Sequence, residues 1–134
     1  MNGHRPFLLQ AALAINAMAT FAAAVVLLLA PAAILGAVGI PLDRSQFFIA
    51  YLLSACELGL SVMAALALKA PRDAVGLGVL SLSVMHLASG VGGVIAIEQG
   101  ASFLILWNVL ARIAIVALLL SGWFAAGKRI EQRD

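Results

Sequence analysis

Apolar residues run through this chain in four long blocks, with most of the polar residues between them. Phe7–Ala30 carries no charge over 24 residues and is broken only by Gln10, Asn16 and Thr20. Gln46–Leu68 contains one carboxylate, Glu57; Ala74–Ile97 contains His86; Ala101–Phe124 contains Asn108 and Arg112. A membrane-crossing helix needs about 20 apolar residues, so the pattern predicts spans over residues 7–30, 46–68, 74–97 and 101–124. Pro31 is expected to end the first span. Ala32–Ile40, with Gly36 and Gly39, reads as a short interfacial segment or loop. Lys69-Ala-Pro-Arg-Asp73 reads as a polar turn, and Glu98-Gln99-Gly100 as a very short connection. Short connections force successive helices to run antiparallel. The expected fold is therefore all-α: an integral membrane four-helix bundle, up-down-up-down. With no repeat and no linker, residues 1–134 are expected to form a single transmembrane domain.

Composition narrows the classes further. Apolar residues make up 64% of the chain and charged residues 10%, against about 25% charged in ordinary soluble domains. That leaves too little polar surface for a soluble enzyme domain, a nucleic-acid-binding domain or a disordered tail. The lipid bilayer is the first expected partner, and nucleic acid is not one. A lone cysteine, Cys56, excludes an intrachain dithiol mechanism and metal sites built on C-x-x-C spacing. The first block also fits a cleaved signal peptide, but such apolar regions run about 7–15 residues. Its length favours a retained helix, as do Asn16 and Thr20, one turn apart on one face.

The basic residues orient the bundle. Arg5, Lys69, Arg72, Lys128, Arg129 and Arg133 fall on one side of the membrane, and Arg44 alone on the other. By the positive-inside rule both termini are expected to be cytoplasmic.

Depth singles out a candidate site. Glu57 is twelfth of 23 in its block, His86 thirteenth of 24 and Arg112 twelfth of 24. At ~1.5 Å per residue, each lies roughly 16–18 Å from its span's start, near the bilayer midplane. Thr20 lies at similar depth in the first span, Asn16 one turn to the cytoplasmic side, and Asn108 one turn outward of Arg112. An unpaired ionisable group at that depth costs several kcal/mol. Glu57 and Arg112 are therefore expected to pair across a diagonal of the bundle, with His86 donating to the carboxylate or bridging through water. The neighbours at helical spacing are small: Ala50, Ser54, Ser61 and Ala64 around Glu57, and Ser83, Ser89, Gly90 and Gly93 around His86. Ala55/Gly59 and Ser89/Gly93 are small-xxx-small pairs expected at helix contacts. Leu52, Leu53, Leu60 and Leu66 are expected to face outward.

Two readings of this layer stand side by side. In one, it is a register lock with nothing bound. In the other, it is a ligand, substrate or proton site, built from Glu57, His86, Arg112, Asn108, Asn16 and Thr20. As a site it suits proton-coupled transport or lipophile binding better than catalysis, since no nucleophile stands beside a base. Glu57 and His86 remain the candidates for acid–base work in a membrane enzyme, an isomerase-like role on a lipophilic substrate. No cofactor is expected. A metal would lack a third good ligand, and haem a second buried histidine, because His4 is outside the spans. Trp107, Trp123 and Tyr51 sit near span ends as interface anchors.

The layout resembles the DoxX-like group of small bacterial four-helix membrane proteins. The resemblance rests on the first span ending in Pro31, the turn Leu35-Gly36-Ala37-Val38-Gly39-Ile40-Pro41, and the helix with Glu57 that follows. It implies the bacterial inner membrane and a role as accessory subunit of a membrane complex, some of the group serving membrane oxidoreductases. It assigns no catalytic residue. The expected function is non-enzymatic: binding or moving a lipophilic small molecule, or supporting another membrane protein.

Overall fold

The computed structural model describes residues 6–131, and the side chains of all of these except 72, 73 and 127–131. Arg5, Arg133 and His4 lie outside the described residues. The fold is all-α: α1 (Phe7–Leu29), α2 (Pro31–Ala37), α3 (Phe47–Ala67), α4 (Arg72–Glu98) and α5 (Ile105–Glu131). All but the short α2 are long and apolar enough to cross a membrane. Dozens of large apolar side chains face outward, among them Phe7, Met18, Leu29, Phe48, Leu77 and Phe103. In water such a surface would aggregate; in lipid it is the solvated face.

Local chemistry sets the helix boundaries. Pro31 cannot continue α1 and instead occupies the first turn of α2, where its missing N–H is not needed. Residues 31–37 are therefore helical rather than loop. Asp43 and Gln46 form a reciprocal capping box ahead of α3, with Gln46 Oε1 accepting from Asp43 N–H at 3.0 Å. Pro71 precedes α4 in extended conformation. The largest correction is to the last span. Ala101–Leu104 are turns, and α5 starts at Ile105 and continues past Phe124 to Glu131. Ser102 Oγ accepts from Leu104 N–H in this loop. Arg112 is thus eighth in its helix, about one turn nearer that end than counting from Ala101 gave.

The four long helices form a closed circuit α1–α3–α4–α5, with α1 opposite α4 and α3 opposite α5. Packing differs between the two ends. We call the end holding the start of α1, the α3–α4 turn and the last turns of α5 the base, and the opposite end the far end. Leu9, Ala12 and Leu13 of α1, Leu60, Ala64 and Ala67 of α3, Val75, Val79 and Leu82 of α4, and Leu119 of α5 form one buried cluster. Every member lies in the base half. There Gly122 lets α5 ride directly on α1: a Cβ on Gly122 would stand 2.8 Å from Leu9 Cα and 2.9 Å from Leu9 N. Gly76 likewise receives the Trp123 ring, 3.0 Å from where a Cβ would be, so Trp123, near the end of its span, packs on the core.

Two serines of α3 tie it to α1 on either side of Glu57: Ser61 Oγ, in the base half, donates to the Ala17 carbonyl, and Ser54 Oγ, toward the far end, to that of Ala24, both at 2.8 Å. On α4, Gly93 takes Val109 and Ile105 of α5, with a Cβ landing 2.8 Å from Val109 Cγ2. Buried Ala24, Leu27 and Ala50 seal α1 to α3, and Ile105 and Val109 seal α5 to α4; none of these joins the central cluster. The two pairs meet again beyond the helices. There Gly39, at φ +77°, packs against Ser102; a Cβ would lie 2.6 Å from Ser102 Cβ.

Several outward and inward assignments change as a result. Ala55 and Gly59 face outward, and a Cβ on Gly59 would meet nothing; Ser89 is also exposed. Leu60 is buried, because α3 turns that flank toward α4 in the base half. Ala50, Ser54, Ser61 and Ala64 are buried beside Glu57 as expected. The serines give a direct test. Ser54→Ala and Ser61→Ala should each lower stability by about 1 kcal/mol, the usual net worth of a buried hydrogen bond. Ser83→Ala should leave stability unchanged or raised, since the buried Ser83 hydroxyl has no partner. Thermal unfolding in mild detergent measures all three.

Candidate functional site

Two diagonals of the square cross where the central cluster ends. Across one, Asn16 of α1 meets His86 of α4, with Asn16 Oδ1 2.7 Å from His86 Nε2. Across the other, Arg112 of α5 meets Glu57 of α3, with Nη2 donating to Oε1 at 3.3 Å. Arg112 Nη1 joins the diagonals through His86 Nδ1, also at 3.3 Å. The fourth contact fixes the guanidinium from its own helix: Arg112 Nε donates to Asn108 Oδ1 at 2.8 Å, the i, i+4 relation.

This geometry assigns the histidine tautomer. A guanidinium can only donate, so Nδ1 of His86 accepts, and its ring proton sits on Nε2, donated to Asn16 Oδ1. Asn16 Nδ2 is then left buried with no partner. Flipping the amide would present an N–H to a ring nitrogen that already carries one. An unpaired buried donor of this kind costs about 1–3 kcal/mol.

Sequence reasoning brought five of its six site residues to one place. Glu57, His86, Arg112, Asn16 and Asn108 form one connected chain of bonds. Thr20 does not join: its hydroxyl donates to the Asn16 carbonyl of its own helix at 2.8 Å. The expected His86–Glu57 contact is replaced, because Asn16 and Arg112 occupy both ring nitrogens. Cys56 points outward, away from Glu57. What spacing could not reveal is that His86 pairs with the opposite helix, since depth alone does not say which helices are diagonal. Gly122 and Gly76, the close-approach points of the base, also escaped notice. A glycine inside an otherwise unbroken apolar helix was the signal for each.

Burial is graded across the layer. Asn16 is fully buried and His86 2% exposed, whereas the side chains of Glu57 and Arg112 are 9% and 15% exposed and Asn108 is exposed outright. Arg112 and Asn108 are thus reached from outside the protein. Beyond them toward the far end stand Ser89 and the helix pairs that no common core joins. Asn108 and the outer edge of Arg112 thus form a polar patch on the lipid-facing flank of the bundle, continuous with the buried layer. An open groove lies elsewhere, in the base half between α3 and α4, lined by Met63, Leu66, Ala67, Ala74, Leu77 and Gly78.

Fold and site together define a four-helix membrane bundle with a largely buried ion pair whose Arg112 end reaches the lipid-facing surface beside exposed Asn108. Comparison of the chain with family models, with curated proteins and with solved structures gives no match.

Proposed function

We propose that the protein is a non-enzymatic membrane binding protein that holds a lipophilic molecule from the bilayer against the lipid-facing edge of this polar layer. The observation that carries the proposal is the outward exposure of Asn108 and the partial exposure of Arg112, at the edge of an otherwise buried polar layer. A register lock would be enclosed on all sides, because polar groups facing hydrocarbon are costly. Open on one side, the same groups can hold the polar end of a molecule whose apolar part lies along the helix pairs. Both ring nitrogens of His86 are engaged within the layer, which favours binding over an acid–base role for Glu57 and His86 in an isomerase-like enzyme. The DoxX-like layout adds a setting: the bacterial inner membrane, beside another membrane protein that receives or supplies the bound molecule.

Organic extracts of the protein purified in mild detergent, analysed by mass spectrometry, test the binding reading. A lipophilic species at near-stoichiometric amount is expected from the wild type and should be lost from Glu57→Leu/Arg112→Met. Equal recovery from both proteins, or none from either, would contradict it.

The proposed orientation, both termini cytoplasmic, follows from the six-to-one distribution of basic residues. Single cysteines placed near either terminus, in a Cys56→Ser background, should resist a membrane-impermeant thiol reagent in intact cells. Labelling at both ends would reverse the orientation.

A further inference from the structure

We infer that the molecule held at the lipid-facing edge of the layer is uncharged at its polar end and carries a hydroxyl-type oxygen that both accepts and donates a hydrogen bond. The inference rests on the binding reading above and adds the chemistry of the ligand. Charge balance is the first argument. Between Phe7 and Leu29, Phe47 and Ala67, Ala74 and Ile97, and Ile105 and Ala126, the only Asp, Glu, Lys, Arg or His residues are Glu57, His86 and Arg112. Glu57 and Arg112 offset one another at 3.3 Å, and the tautomer fixed by Arg112 and Asn16 leaves the imidazole neutral. The layer therefore sums to zero. An anionic head would compete with Glu57 for Arg112, and a cationic head would compete with Arg112 for Glu57. Either would leave one net charge in a low-dielectric region with no further counter-ion along these four stretches.

Unused hydrogen-bonding capacity is the second argument. A guanidinium has five N–H groups, and three of those on Arg112 are taken, by Asn108, His86 and Glu57. Two donors remain, and the exposed Asn108 amide N–H groups bond to nothing among the described residues. On the acceptor side, Glu57 Oε2 receives no hydrogen bond there either. Unused donors on Arg112 and Asn108 and an unused acceptor on Glu57 thus meet at the edge of the layer. A hydroxyl oxygen accepts from Arg112 or Asn108 while its proton goes to Glu57. A bare hydrocarbon satisfies neither, and an ether or ketone oxygen only the donors.

A series of ligands with one chain length and different heads tests this. Tritiated octadecanol is equilibrated with the purified protein in mild detergent and competed with unlabelled octadecanol, octadecyl sulfate, octadecyltrimethylammonium and octadecane. Saturable binding of the label is expected, with octadecanol displacing it at concentrations at least about tenfold below those of the two charged competitors, and octadecane not displacing it. Asn108→Leu, which leaves the ion pair in place, should weaken octadecanol binding severalfold. The inference is overturned if the label does not bind saturably, if either charged competitor matches octadecanol, or if Asn108→Leu binds it unchanged. Displacement by octadecyl sulfate alone, with a lipophile still extracted from wild-type protein, would discard the uncharged head and keep the binding reading. No saturable binding, together with an empty extract, would discard both.

Discussion

Arg112→Met and Glu57→Leu should each destabilise the protein by ~3–5 kcal/mol, while the double variant recovers most of that loss. The reason lies in what each single change strands. Without Arg112, the Glu57 carboxylate stays in a site only 9% exposed, with no other cation along the four helices' apolar stretches. Without Glu57, the guanidinium keeps only neutral partners, Asn108 and His86. Removing both leaves apolar side chains of similar volume where the desolvation cost was. Asn16 and His86 keep their own bond across the other diagonal. Thermal or denaturant unfolding of the four proteins in mild detergent gives the cycle. Additive losses would contradict the pairing, because independent groups in separate wet pockets behave that way.

The second large effect is expected at Gly122. A Cβ there would meet backbone atoms of Leu9, at 2.8 Å and 2.9 Å, and backbone cannot rotate aside as a flexible side chain can. Gly122→Ala should therefore destabilise by about 1–3 kcal/mol and Gly122→Leu by more, since α1 must move off α5 at the point where the base closes. Gly93→Leu should follow the same direction, against the side chains of Val109 and Ile105. Gly59 supplies the contrast. A Cβ there meets nothing, so Gly59→Ala should be neutral or stabilising by up to about 1 kcal/mol through helix propensity. Equal losses at Gly122 and Gly59 would remove this account of the base.

The extent of each span, the antiparallel order and the depth of the polar residues were legible in the sequence because each depends on one variable. Apolar run length against membrane thickness gives the spans. Position within the run gives the depth. The boundaries of α5 were less legible: Ala101–Leu104 are as apolar as the helix that follows, and hydropathy does not distinguish apolar turn from apolar helix. Facing was legible only where a polar residue anchored it. Ala50, Ser54, Ser61 and Ala64 were placed correctly from Glu57, while Ala55 and Gly59 were misplaced on smallness alone. In lipid, a small residue on the outside carries no penalty that would mark it. Pairing within the layer was legible for opposite charges, since Glu57 and Arg112 were placed across a diagonal, and not for His86, whose neutral ring bonds Asn16 as readily as a carboxylate. That the buried apolar cluster gathers in the base half was not legible either, because apolar residues line both halves.

The lipid-facing edge of the polar layer at Asn108 and Arg112 is the centre of the functional account, and spin-label accessibility tests it directly. In a Cys56→Ser background, nitroxides are attached at Ser89→Cys and Asn108→Cys, with Met18→Cys as the lipid-facing reference and Ser83→Cys as the packed one. Collision with oxygen dissolved in the bilayer is then measured in reconstituted vesicles. A lipid-facing polar edge predicts that residues 89 and 108 approach the accessibility at residue 18, well above that at residue 83. Values at 89 and 108 as low as at 83 would mean that the helices close over the polar layer, and the proposed binding site would be lost.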